Sequence, residues 1–261
     1  MELRSLFLFA SAVSLATSAI AQEHSRMIKL DPDPPLQQRR GGAKEWGLVS
    51  FKSSRDPKIM AGVWEAAPRH VVHPQLDHSE LMYVLSGSFT LTDNTNGRRE
   101  KFTAGDALLV PRGTSYTWDQ PAGDVRKFWF VFDAVSEPVS EPPSRTDTAG
   151  LSTPTFIRLG AVDTGSRQSR LDRASGARTV FESADARVVY REAAPAESGG
   201  SFVTNNPASL IVVLSGSARV IYRSGAAEQL RAGDVVIVPR NLQYKWCSDG
   251  ERVLYVVFDQ R

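Results

Sequence analysis

Leu85-Ser86-Gly87-Ser88 returns as Leu214-Ser215-Gly216-Ser217, and working outward from this pair shows that the chain is one module written twice. Glu65-Ala66-Ala67-Pro68 recurs as Glu192-Ala193-Ala194-Pro195, and Ala104-Gly105-Asp106 as Ala232-Gly233-Asp234. Val110-Pro111-Arg112 matches Val238-Pro239-Arg240, Tyr116-x-Trp118 matches Tyr244-x-Trp246, and Val131-Phe132-Asp133 matches Val257-Phe258-Asp259. The order is kept and the offset drifts only between 126 and 129 residues, too long a period for a solenoid and right for a duplicated domain. Within each copy the apolar residues fall in short β-branched and aromatic runs, such as Met82-Tyr83-Val84-Leu85, Lys127-Phe128-Trp129-Phe130-Val131-Phe132 and Leu210-Ile211-Val212-Val213-Leu214. Turn signals separate them, with Gly supplying positive φ and Pro setting a bend. Many short strands at this spacing predict an all-β sandwich or barrel in each copy.

The rest of the composition is that of an ordinary globular chain. The 261 residues are 41% hydrophobic and 23% charged, and 31 Lys and Arg stand against 29 Asp and Glu. The charges are interspersed and form no basic stripe, so nucleic acid is not an expected partner. Arg4, the apolar stretch from Leu6 to Ala16 and Ala19-Ile20-Ala21 ahead of Gln22 read as a secretory signal peptide over 1–21. A membrane anchor is the competing reading, but the apolar run is shorter than the roughly 20 residues of a spanning helix. The expectation is an exported, periplasmic or secreted protein with no stable membrane association after cleavage. The lone Cys247 cannot form an internal disulfide, so core packing must hold the fold. Residues 22–135 are expected to form the first domain, the Pro- and Ser-rich stretch 136–155 a linker, and 156–261 the second domain.

Glu80, six residues and Gly87, followed by Gly105-Asp106, four residues and Pro111-x-Gly113, resemble the two-part signature of the cupin superfamily. Gly62-Val63-Trp64-Glu65-x-x-Pro68, Tyr83-Val84-Leu85-Ser86-Gly87 and Tyr116-x-Trp118 are similar to the cupin family that includes ureidoglycine aminohydrolase-type and ethanolamine-utilisation proteins. The resemblance spans roughly 45–133 and 176–259 and implies two tandem cupin domains, each a jelly-roll β-barrel around a pocket. It also implies a homodimer, since cupins commonly pair through their sheets. A fold that hosts many functions implies no single reaction.

Three of the four histidines, His70, His73 and His78, fall within nine residues, with Glu80 two beyond the last. On a strand His78, Glu80, Met82 and Val84 share one face, so an imidazole and a carboxylate would project together into an apolar barrel. Where metal-binding cupins carry His-x-His, the resemblance finds His73-Pro74-Gln75, and Tyr116 where they carry the late His. A divalent Mn, Zn, Fe or Ni held by His73, His78 and Glu80 is one expectation. Acid-base chemistry without metal is another, with His73 or His78 as base and Tyr116 as acid. Trp64, Gln75, Met82 and Trp118 are the expected ligand-binding residues, although core packing would account for the two indoles as well. In the second copy Ser209 and Pro207 stand where Glu80 and His78 stand in the first. By resemblance, ureidoglycine aminohydrolases hold their metal in the C-terminal barrel, so this loss counts against that activity. The expected ligand is a small polar metabolite (a ureide, sugar acid or amino-acid derivative) bound or acted on in the N-terminal barrel. A non-catalytic binding protein and a purely structural one are the alternatives.

Overall fold

The computed structural model describes residues 26–38, 45–52, 58–134, 156–159, 177–182, 186–193, 201–205, 209–247 and 253–260. The expected signal segment and linker lie outside these residues. No helix occurs among the described residues, and none is long and apolar enough to cross a membrane. The first half runs β1 (Ile28–Lys29), β2 (Gln37–Gln38), β3 (Glu45–Lys52), β4 (Lys58–Ala66), β5 (Arg69–His73), β6 (Ser79–Ser86), β7 (Ser88–Asp93), β8 (Arg99–Thr103), β9 (Ala107–Val110), β10 (Tyr116–Gln120) and β11 (Val125–Ala134). The second runs β12 (Ile157–Leu159), β13 (Ala177–Glu182), β14 (Ala186–Ala193), β15 (Val203–Thr204), β16 (Ser209–Ser215), β17 (Ser217–Tyr222), β18 (Ala227–Arg231), β19 (Val235–Val238), β20 (Gln243–Cys247) and β21 (Val253–Gln260).

Each half closes a large sheet over a small one. A seven-stranded sheet, β12-β9-β6-β11-β4-β3-β2, faces the four-stranded β5-β10-β7-β8, and a six-stranded sheet, β1-β19-β16-β21-β14-β13, faces β15-β20-β17-β18. Strand alternation sorts the side chains into three cores. Met82, Val84, Leu108, Val110, Trp118 and Phe89 fill the first barrel, and Ile211, Val213, Val236, Val238, Val220 and Tyr222 the second. The odd residues Leu81, Tyr83 and Leu109 and the even residues Phe128, Phe130 and Phe132 turn outward and meet Leu210, Val212, Val235 and Ile237, so the large sheets pack on each other.

The repeated motifs each perform the same local task. At Gly87 the hairpin between β6 and β7 takes φ of 79°, and a Cβ there would run into the carbonyl oxygen of Asp124; Gly216 takes φ of 74° at the equivalent place. In the Ala-Gly-Asp turns, Asp106 Oδ2 accepts from the Thr103 backbone N–H at 2.7 Å and Asp234 Oδ2 from that of Arg231 at 2.9 Å.

The halves also exchange their leading strands. β1 pairs with β19 of the second barrel, and β12 pairs with β9 of the first. Met27 is buried in the second core and Phe156 in the first, while Leu30 and Leu159 both enter the shared interface. Lys29 Nζ meets Asp234 Oδ1 at 2.6 Å, and Arg158 Nη1 meets Asp106 Oδ1 at 2.5 Å. Each Gly-Asp carboxylate thus ties its own turn with one oxygen and the other half's arm with the second. Met27-Ile28-Lys29-Leu30 and Phe156-Ile157-Arg158-Leu159 are therefore a further pair of repeats. One sequence match changes register: Val131 lies opposite Glu80, whereas Asp259 lies opposite Ser209, so Asp259 rather than Val257 occupies the place of Val131.

Candidate functional site

Strand β6 carries Glu80, Met82 and Val84 on the face that enters the first barrel, as alternation predicts. Glu80 is met there by a residue that the sequence reading passed over. Lys127 on β11 is only 7% exposed and places Nζ 2.8 Å from Glu80 Oε1 and 3.1 Å from Met82 Sδ. Its ammonium also lies 5.0 Å from the Trp64 ring centroid and 5.2 Å from that of Trp118. Trp64 and Trp118 meet edge to face at 5.7 Å. Trp118 is fixed from behind by Phe89, stacked at 3.7 Å, and its Nε1 donates to Gln120 Oε1 at 3.3 Å. The Gln120 amide donates in turn to the carbonyls of Ala66 and Gly123, so the indole is anchored to two strand ends.

The signal for Lys127 was present in the alternation. Val125, Lys127, Trp129 and Val131 form one face of β11 and Phe128, Phe130 and Phe132 the other. With both faces apolar, a lysine in the middle has no water to point to and requires a partner.

His73 and Tyr116 face each other across the β5–β10 ladder, and their rings stack with centroids 4.6 Å apart. His73 is half-buried and Tyr116 buried. His78 instead sits in the loop before β6, where Nδ1 is 2.5 Å from Asp77 Oδ1. That loop is closed by Gly113 N–H to the Leu76 carbonyl at 2.7 Å and by Leu76 N–H to the Thr114 carbonyl at 2.9 Å. Gln75 is exposed on the same loop. The structure thus gathers His73, Tyr116, Glu80, Met82, Trp64, Trp118 and Lys127 about one barrel, and leaves Gln75 on its outside.

The charges act on one another. Burial alone would raise the Glu80 carboxyl, but the Lys127 ammonium, with His78 and His73, holds it below the usual carboxylate range. Burial lowers the His73 imidazole; Glu80 pulls against this, and Lys127, Arg69 and His78 reinforce it. Burial, and then the Glu80 charge, push the Tyr116 phenol well above its ordinary value. At neutral pH the set is a carboxylate, a neutral imidazole and a protonated phenol.

The donors do not fit a divalent metal. Among the described residues no three or more His, Cys, Asp or Glu side chains stand close enough to hold one. His73 stacks on Tyr116, His78 Nδ1 meets Asp77, and Glu80 Oε1 is taken by the Lys127 ammonium, so the three expected ligands are engaged separately.

The second barrel repeats the frame without these groups. The same bulge shifts both registers, so Tyr255 lies opposite Val213 as Lys127 lies opposite Val84. Ser209, Ile211 and Val203 take the positions of Glu80, Met82 and His73, and Ser209 Oγ donates to Asn205 Oδ1 at 2.9 Å. Of the sequence argument for an empty second site, Pro207 lies outside the described residues.

Residues 54–129 match the model of the EutQ-like cupin domain. No curated protein sequence matches the chain. Among solved structures it is similar to protein Ylba from E. coli, of family DUF861, at 16% identity and a TM-score of 0.58, covering 93% of this chain and 95% of that one. A DUF861 protein of unknown function from Pseudomonas syringae pv. tomato is 20% identical with a TM-score of 0.54, over 84% of this chain and 94% of that one. Oxalate decarboxylase from Bacillus subtilis, with Mn(II) centres, is 15% identical at a TM-score of 0.47, over 91% and 78%, a likeness too distant to transfer a donor set. With the motif, the barrels and the match in agreement, the chain has an all-β cupin fold, and its residues 54–129 match a EutQ-like cupin domain.

Proposed function

We propose that this is an exported bicupin that binds a small polar metabolite at the mouth of its N-terminal barrel, and that proton transfer to or from His73 is the chemistry available there. The observation that carries the reading is the buried Lys127–Glu80 pair beside His73 and Tyr116. Burying an ion pair is costly, and apolar replacement commonly stabilises a fold. In the second barrel Ser209 and Ile211 take the places of Glu80 and Met82 on the same strand frame, so the frame does not require this carboxylate.

Neutral His73 is the proton or hydrogen-bond acceptor, and the phenol of Tyr116 is the donor. Glu80 and Lys127 form the floor. His73, Tyr116, Glu80 and Lys127 put donors and acceptors side by side in the first barrel, and this supports a ureide, sugar acid or amino-acid derivative over an apolar ligand. The second barrel then serves as a structural half. The expected homodimer finds support in two edge strands: β5 exposes Val72, and β15 exposes Val203 with Phe202 beside it.

The test is a thermal-shift screen of the full mature chain against those three metabolite classes. At least one is expected to raise Tm in the wild type, with the shift lost in His73→Ala and Tyr116→Phe and kept in Tyr244→Phe. A shift that survives the first two variants, or the absence of any shift, defeats the reading.

A further inference from the structure

Lys127 reaches its position along the strand ladder, and the pocket around its head group is built by residues that hold one another without it. Trp118 is clamped by Phe89 and Gln120, Trp64 packs its edge on Trp118, and Glu80 and Met82 are fixed by their places on β6 between β9 and β11. The result is a preformed wall of two indoles, one carboxylate and one thioether around a single positive charge.

That composition distinguishes between cations. Indole faces attract an ammonium through the ring quadrupole and offer no lone pair to a metal. A thioether is a soft ligand, while Mn and other hard ions take oxygen sets. One carboxylate neutralises one charge, so a monovalent ammonium is balanced and a divalent ion is left with an excess in a dry interior.

We propose that Trp64, Trp118, Glu80 and Met82 form an ammonium cage whose resident cation is Lys127; the barrel thereby excludes divalent metals and takes a small alkylammonium ion when the lysine is shortened. The inference concerns the floor of the site described above and does not depend on which metabolite binds at its mouth.

The experiment uses the full mature chain. Lys127→Ala is titrated with propylammonium, with 1-propanol as the neutral isostere, and with Zn2+ and Mn2+, reading Tm and calorimetric binding. The variant is expected to melt below the wild type and to regain Tm saturably with propylammonium. Neither the alcohol nor the metals should restore it, and the regain should vanish when Glu80→Gln is added. The wild type should bind none of the four. Equal rescue by the alcohol, or stoichiometric metal uptake by the wild type or the variant, overturns the cage. Should Lys127→Ala fail to fold, the wild type still decides: ring currents from two indoles must shift the Lys127 Cε protons upfield by NMR, and unshifted protons overturn the proposal. A negative metabolite screen with positive amine rescue sinks only the functional reading; the reverse sinks only the cage.

Discussion

The two barrels share hairpin glycines, Gly-Asp turns and a bulge at the same ladder position, yet the first holds the Lys127–Glu80 ion pair where the second has Tyr255 and Ser209 in register. Because both are built on the same chain, the second is an internal control for the first. Turns, register and interface belong to the shared fold, whereas Lys127, Glu80 and His73 are not repeated in the second copy, where Tyr255, Ser209 and Val203 take their places.

The sharpest way to break this contrast is to remove one charge. Lys127→Met leaves Glu80 buried and unpaired and is expected to lose about 3–5 kcal/mol in urea unfolding. The double variant Lys127→Met/Glu80→Gln, which leaves no unpaired charge behind, should recover most of that loss. If the single variant is as stable as the wild type, the pair is not a buried one.

Next come the exchanged plugs. Phe156→Ala empties a fully buried site in the first barrel and should cost about 3–5 kcal/mol, and Met27→Ala in the second about 2–5 kcal/mol. Because each plug sits in the other half's core, both variants should melt in one transition; two separated transitions would show barrels that fold independently.

A smaller difference separates the arm cations. Arg158 meets Asp106, Glu100 and the Lys101 carbonyl, whereas Lys29, half exposed, meets Asp234. Arg158→Met is expected to cost about 1–2 kcal/mol and Lys29→Met less than about 1 kcal/mol. Equal costs would remove this asymmetry.

The smallest effect is on pH. His73 has a folded value below the usual imidazole value near 6.5, so the unfolded chain binds its proton first. Its stabilisation is complete above about pH 6.5 and is lost as the pH falls from there toward the lowered folded value. Glu80 adds an acid limb, present above the ordinary carboxylate value and lost only as pH falls through its depressed one. Urea midpoints against pH should show the His73 slope flattened in His73→Gln, while Val203→Gln, at the matching place in the second barrel, leaves the slope intact.

Much of the fold is legible in the sequence because strand alternation and turn chemistry are local. Glu80 and Met82 lie on the inward face that period two assigns, and Gly87 sits where φ must be positive. In the sequence Lys127 is one more residue of an aromatic strand, since a run apolar on both faces hides which way its one charge points. The His73–Tyr116 stack joins two strands that no local pattern pairs. The leading arms are four residues each and carry too little periodicity to declare a partner half a chain away. The letter match at β21 lies two residues out of register, because Val-Phe-Asp repeats in letters while the ladder is fixed by the bulge at Val213.

Strand exchange bears on the order in which the chain can be completed. Met27 N–H donates to the Tyr222 hydroxyl across 195 positions of sequence, so the second barrel closes on an arm that was synthesised first. The first barrel in turn waits for Phe156 and Arg158, which emerge after its own last strand. During vectorial synthesis neither half reaches its final packing until the other has begun, and closure of such non-local contacts is slow. The molecule is a duplicate in sequence and a single unit in assembly, so a cut between the copies leaves two open sheets rather than two small proteins.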